Sequence, residues 1–207
     1  MRINYFKTDM FITVILVVLA GLQGSAICAQ KDSGSVGYRE YDVKAAFLYN
    51  FIKFTDWPEN KPAEPNKIII GILGQDQFGN SFDSVQNKLL QDKMLVIKRY
   101  GKFVNLCKDS NGNTANPCAK QEDLKKCHVL FICKSETPQL KQIFEAISAG
   151  SVLTVGECDE FLDAGGMINF ILSENKVAFE INTAATKNAE IQINSRVLRL
   201  AKRIKTD

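Results

Sequence analysis

The sequence predicts an α/β fold with a mixed sheet, parallel in its centre, an antiparallel C-terminal hairpin and helices on both faces. Three observations predict it. KIIIGILG (67–74), HVLFIC (128–133) and VLTVGE (152–157) are continuous apolar runs, the composition of strands covered on both faces. Segments with apolar residues at helical spacing lie between them, which is the alternation of a parallel sheet with crossover helices. GGMINFIL (165–172) and KVAFEIN (176–182) are joined by the short run SENK across Ser173 to Lys176, which forces an antiparallel pairing.

The elements follow in order. Residues 1–29 have a basic start with Arg2 and Lys7, an apolar run from Met10 to Leu22, and then small and polar residues. That is the three-part form of a secretory signal, too short in its apolar core for a comfortable span of about 20 residues. Cleavage is expected after Ala29 or Ala26. The run SAIC has a lipoprotein-box outline, but Ile27 stands where a small residue is wanted. Residues 30–38 are polar and Gly/Ser-rich, a flexible tether, and 39–207 form one domain. Removal of the signal leaves 178 residues, enough for a substantial core. It also removes Arg2 and Lys7 against Asp9, lowering the net charge from +3 to +2, so nothing points to nucleic acid.

AAFLYNFIKFTDWP (45–58) holds five aromatics, among them the only Trp. Val43, Phe47, Phe51 and Phe54 fall on one helical face, which Leu48 and Ile52 widen and Lys44 interrupts. The helix ends at Asp56-Trp57-Pro58, because the residue before Pro is driven out of helical backbone. Core packing accounts for this stripe, and its internal charges exclude a membrane span. A second helix is predicted over 77–90 from Phe78, Phe82, Val85 and Leu89, then a strand over 94–100. The region 105–127 is a loop and a polar helical turn, 137–150 is a helix, and 191–205 is a short strand running into a helix capped by Asn194 or Ser195. Together these give a Rossmann-like arrangement.

Such a sheet raises the question of cofactors, and the chemistry is missing. The first strand-to-helix turn, GILGQDQFG, lacks the G-x-G-x-x-G spacing, and no phosphate loop occurs. His128 is the only histidine and follows Cys127 on a strand, where neighbours point to opposite faces. No C-x-x-C is present, and Glu157, Asp159, Glu160 and Asp163 lack calcium-loop spacing. No enzyme, cofactor or metal is expected. The five cysteines after the signal read as two disulfides and one thiol in an oxidising compartment. Cys133 and Cys158 both lie at the carboxyl edge of neighbouring parallel strands, and Cys107 and Cys118 flank a loop. The expected bridges are Cys133–Cys158 and Cys107–Cys118, with Cys127 free.

The segments VKAAFLYNFIKFTDWP, CHVLFI, VLTVGE, FLDAGGMINFIL, VAFEIN and NSRVLRLAKRI, in that order, resemble the YfiR-like periplasmic proteins. The resemblance runs from about Tyr38 to Ile204. It implies a compact Rossmann-like domain with an added hairpin, acting as a homodimer. It further implies repression of an inner-membrane diguanylate cyclase through that enzyme's periplasmic domain, which limits cyclic di-GMP and biofilm. In such proteins disulfides support the fold and make repression redox-sensitive. The chain departs from that pattern: Gly71 stands where many relatives carry a Cys facing the Cys before HVLFI, so Cys127 lacks that partner. The close cysteine pair after VLTVGE is reduced to Cys158, and the loop with Cys107 and Cys118 is an insertion.

Two functions therefore stand. One is a repressor docking on a membrane cyclase or sensor kinase, with Arg196, Arg199, Lys202 and Arg203 as a basic helical face for an acidic partner. The other is a small-ligand-binding protein, its pocket at the sheet's carboxyl edge near Gly74–Phe78 and Gly156–Asp159.

Overall fold

The computed structural model describes residues 33–103 and 119–207. The expected signal segment and the cysteines Cys107 and Cys118 lie outside them. The first helix, α1 (Ser33–Lys53), takes in most of the stretch read as a tether. Its buried face is centred on Ala45, Leu48, Phe51 and Ile52, while Phe47 and Phe54 are half-buried and Val43 is exposed. Lys44 is only 4% exposed, on a face otherwise apolar. Phe51 carries the packing, with ring centroids 5.1 Å from Phe179 and 5.9 Å from Phe170. Aromatic pairs at such spacings add to simple area burial.

The chain then builds β1 (Thr55–Asp56), β2 (Lys67–Leu73), β3 (Leu89–Leu90) and β4 (Lys93–Gly101). Next come α2 (Ala119–Lys125), β5 (Val129–Ile132), a 3-10 turn (Lys134–Gln139), α3 (Leu140–Ile147) and β6 (Leu153–Gly156). It finishes with β7 (Ile168–Ser173), β8 (Lys176–Asn182), α4 (Thr183–Asn188), β9 (Gln192–Ile193), α5 (Ser195–Leu198) and β10 (Arg203–Lys205). Among the described residues, eight strands form one sheet in the order β10-β8-β7-β6-β5-β2-β4-β3. From β7 to β4 every pairing is parallel, whereas β8 is antiparallel to β7 and β3 to β4. The mixed Rossmann-like sheet thus has its parallel centre and its antiparallel hairpin. Ser173 faces Lys176 across the hairpin, and Glu174 and Asn175 take positive φ, as a tight two-residue turn requires.

β2 separates two cores. Ile68, Ile70 and Ile72 point to the α1 face with Val129, Phe131 and Phe179. Ile69 and Leu73 point to the other face, with Leu130, Ile132 and the α3 residues Leu140, Ile143 and Ile147. The strand alternation of side chains fixes this division.

One predicted helix is absent and another is cut short. Residues 77–90 form successive turns and then β3, with Ser81 N–H donating to the Phe78 carbonyl at 2.9 Å and Asp83 N–H to that of Asn80 at 3.0 Å. Phe78 and Phe82 do point inward, their rings 4.9 Å apart. The intervening Asn80, Ser81 and Asp83, with positive φ at Gly79 and Asn87, favour turns over a continued helix. At the C-terminus Asn194 does cap a helix, accepting from Arg196 N–H at 2.9 Å. That helix, α5, lasts one turn, after which β10 pairs with β8 in parallel. Strand pairing at a sheet edge outweighs the helical period of LRLAKRIK.

Replacing Phe51 by Ala should destabilise the fold by about 3–5 kcal/mol, the range for a fully buried Phe. Urea denaturation followed by circular dichroism would check this, and a loss under about 1 kcal/mol would contradict the packing described.

Candidate functional site

β2 lies between β4 on one side and β5 on the other, although β4 precedes β5 in the chain. Loops leaving the carboxyl ends of β2 and β5 therefore diverge and open a crevice. A cavity of about 760 Å³ occupies it, lined by Gln75 and Gln77 after β2, Lys134 and Ser135 after β5, and Glu157 and Asp159 after β6. Glu40, Tyr41 and Lys44 close it from α1. This is the edge where the sequence places a ligand pocket.

Tight local constraints shape the β2 exit. Gly74 has a φ of +104°, and a Cβ there would lie 2.5 Å from Ser135 Oγ and 2.8 Å from Glu136 Cγ. Only Gly fits such a backbone so close to its neighbour. Ser135 Oγ in turn accepts from Gln75 N–H at 3.0 Å and donates to Glu136 at 2.9 Å. The buried Glu136 carboxylate also accepts from Phe103 N–H at 2.8 Å, so it ties the exit of β4 to the exit of β5.

Lys44 is the charged centre of the cavity wall. Its ammonium lies 2.5 Å from Glu40 Oε1 and 2.6 Å from Glu157 Oε2, and 4.4 Å from the Tyr41 ring centroid. Tyr41 donates its hydroxyl to the Glu157 carboxylate at 3.1 Å. Burial first, and then the Glu157 charge, push the Tyr41 phenol well above its ordinary range, so it stays a donor. Cys133 packs beneath, and burial with the nearby Glu157, Asp76 and Glu136 carboxylates raises its thiol to about 12. A thiol so disposed is not a nucleophile. The arrangement can hold and orient a polar molecule, with carboxylate, ammonium and amide groups on its walls. The sequence signal for it was Lys44 itself, a charge inside an apolar stripe.

The other expected residues fall elsewhere. Cys133 and Cys158, expected to pair, both carry free buried thiols. They belong to different cores, Cys133 on the α1 face and Cys158 on the α3 face, so the sheet separates them. Cys127 is also a free buried thiol, 3.4 Å from the Tyr100 hydroxyl and raised to about 11, chiefly by burial. A Cβ on Gly71 would sit 2.8 Å from Cys127 Sγ, 2.9 Å from Leu130 Cδ1 and 3.0 Å from Tyr100 Cε2. Gly71 is therefore the residue that faces Cys127.

The basic residues do not form one helical face. Arg196 lies within the single turn of α5, Arg199 follows as its C-cap, and Lys202 lies in the link to β10; all three are exposed. Arg203 sits on β10 and makes a two-pronged pair with Glu180, both contacts 2.8 Å. Glu157, Asp159, Glu160 and Asp163 do not converge either: Asp163 pairs with Lys205 at 2.7 Å, while Glu157 turns to Lys44. Among the described residues no group of His, Cys, Asp or Glu is placed to hold a metal ion.

His128 lies at the other end of the sheet. Its Nδ1 accepts from Ile69 N–H at 3.2 Å, its backbone N–H donates to the Ile69 carbonyl at 2.9 Å, and Trp57 meets it edge-on at 5.3 Å. Burial, with Lys61 and Lys93 nearby, lowers its pKa to about 3. It is a neutral, structural imidazole.

A family model described as YfiR/HmsC-like matches residues 41–202. The chain belongs to the YfiR/HmsC-like family. Among solved structures, a conserved domain protein of Vibrio cholerae O1 biovar El Tor strain N16961 is similar, with a TM-score of 0.52 and 10% identity. An ABC domain in complex with L-Trp from Streptococcus pneumonia follows at 0.49 and 8%. Each alignment covers 80% of this chain, and the chain spans 60% of the length of each of these proteins. At these identities the first likeness is one of fold. A search of curated proteins found no match. The family segments map onto defined parts of the structure: FTDWP ends α1, CHVLFI is β5 with its entry, and VLTVGE is β6 leading to Glu157.

Three predictions follow from the side chains of this YfiR/HmsC-like domain. Lys44→Met should cost about 3–5 kcal/mol in urea denaturation, because it leaves Glu157 buried without its cation. Gly71→Cys should form a bond with Cys127 on air oxidation, so that thiol titration in denaturant no longer detects Cys127. If the crowding by Leu130 and Tyr100 prevails, the thiols stay reduced. For His128 the folded pKa lies below the unfolded value, so the unfolded chain binds the proton more tightly. Its contribution is complete above about pH 6.5 and is lost as pH falls towards 3, at up to about 1.4 kcal/mol per unit. Unfolding midpoints at stepped pH should show this slope, and His128→Gln should flatten it.

Proposed function

We propose that this chain is an exported regulator that docks on the extracytoplasmic domain of an inner-membrane diguanylate cyclase and holds the enzyme inactive. The observation that carries this reading is family membership across residues 41–202. The N-terminal segment with its basic start and apolar run supports delivery to the periplasm by a cleaved signal peptide. Repression of the cyclase limits cyclic di-GMP and with it biofilm formation. The protein acts as a binding partner with no catalytic step of its own, and it works as a homodimer. Arg196, Arg199 and Lys202, exposed and close in sequence around α5, are the proposed contact with an acidic surface. Arg203 is already engaged by Glu180 and contributes less.

Cellular cyclic di-GMP in a strain lacking the gene tests this reading. Its level should rise on deletion and return when the exported chain is restored, but not when residues 1–29 are removed from the restored copy. An unchanged level on deletion would transfer the docking role to another membrane sensor, such as a histidine kinase.

The carboxyl-edge cavity favours a second reading, in which the domain binds a small polar molecule. The two readings are compatible if the ligand relieves or reinforces docking. A Glu157→Gln chain that still lowers cyclic di-GMP but no longer responds to the relieving signal would join them.

A further inference from the structure

A groove of about 550 Å³ runs between α1 and the turn of the β7–β8 hairpin. Side chains two apart on a strand share a face. Phe170 faces Phe179 across the hairpin, and Leu172 faces Val177 as the next pair on that face towards the turn. α1 covers the first pair, with the Phe47 ring 5.9 Å from that of Phe170 and 5.3 Å from that of Phe179. The second pair is left open. Leu172 is 64% exposed, and Val43, one helical turn before Phe47, is 43% exposed. Phe47 and Val177 are each only partly covered. The aromatic core therefore continues outwards into a groove whose apolar lining is Val43, Phe47, Leu172 and Val177. An apolar surface that is continuous rather than scattered marks a contact with another molecule.

The rim says which molecule. Glu40 borders the groove on α1, and Asn175 and Lys176 border it at the hairpin turn. Lys176 is exposed, and among the described residues its ammonium enters no ion pair. Glu40 holds Lys44, yet its side chain keeps 25% exposure, so its carboxylate has lone pairs to spare. One wall thus offers an acid and the other a base. The same patch also offers a projecting Leu172 and the hollow beside it. A surface that carries both halves of each match is complementary to itself, as a two-fold contact requires.

We propose that this groove is the contact between two copies of the chain. Leu172 of each copy enters the other's groove between Val43 and Phe47, and Lys176 of each meets Glu40 of the other. The inference rests on the homodimer of the proposed function and gives that homodimer its surface. Arg196, Arg199 and Lys202 line no part of the groove, so the dimer leaves them open to the acidic partner.

Sedimentation equilibrium of the exported chain, purified from the periplasm, reads this contact with no cyclase present. The parent chain should dimerise with a Kd between about 0.1 and 50 μM, as for an interface of modest size. Leu172→Asp alters an exposed side chain, so it should keep the parent's circular dichroism and melting temperature. It should weaken dimerisation at least about thirtyfold. A mixture of Val43→Cys and Leu172→Cys chains should form an intermolecular disulfide on mild oxidation, faster than either chain alone. Such a bond forms only where the two Cα atoms come within about 7 Å. A parent dimer that Leu172→Asp leaves intact would overturn this surface, while the homodimer stands on another. A parent that stays monomeric up to about 100 μM would overturn surface and homodimer together, and cyclic di-GMP on deletion then judges docking separately. A monomeric parent whose Leu172→Asp form no longer lowers cyclic di-GMP would give the groove to the cyclase instead.

Discussion

The constraint on which the structure depends is that β2 must be covered on both faces. It has parallel partners on both sides, β4 and β5, and its side chains supply both cores: Ile68, Ile70 and Ile72 on one side, Ile69 and Leu73 on the other. Covering the first side requires an apolar helix, and α1 supplies it with Leu48, Phe51 and Ile52. Covering the second requires α3, with Leu140, Ile143 and Ile147. The aromatic richness of α1 thus has a structural cause. Phe51 and Phe47 reach past β2 to Phe170 and Phe179 of the hairpin, and that reach holds the antiparallel strands on the parallel centre.

From that arrangement the carboxyl-edge cavity results. At the carboxyl end, the divergence of the loops on either side of β2 leaves space that α1 roofs over with Tyr41 and Lys44. At the amino end, the chain leaving α1 is pinned by β1 to β9, with Asn194 N–H donating to the Phe54 carbonyl at 2.9 Å. That pinning sets Thr55 and Trp57 over the starts of β2, β4 and β5. One helix therefore reaches both edges of the sheet.

The parallel strands were legible because strands buried on both faces read as unbroken apolar runs, and the hairpin because its loop was too short for anything else. The spacing of Phe78, Phe82, Val85 and Leu89 misled because a chain of turns can bury aromatics at similar intervals. Gly79, Asn80, Asp83 and Asn87 were the residues that told against a helix there. β10 was hidden for another reason, since three residues of RIK become a strand only by pairing with Glu180, Ile181 and Asn182. The Lys44 cluster was half visible, as a charge in the wrong place on α1, but its partner Glu157 is more than a hundred residues away.

The two thiols on opposite sides of the sheet have a consequence for how the chain matures. In the unfolded chain Cys133 and Cys158 are close in sequence, and an oxidant could join them readily. Once joined, they would draw together two side chains that the folded chain packs into different cores. An oxidising compartment therefore sets up a race between folding and crosslinking. The fold wins it only by burying both sulfurs first, after which the sheet itself keeps them apart.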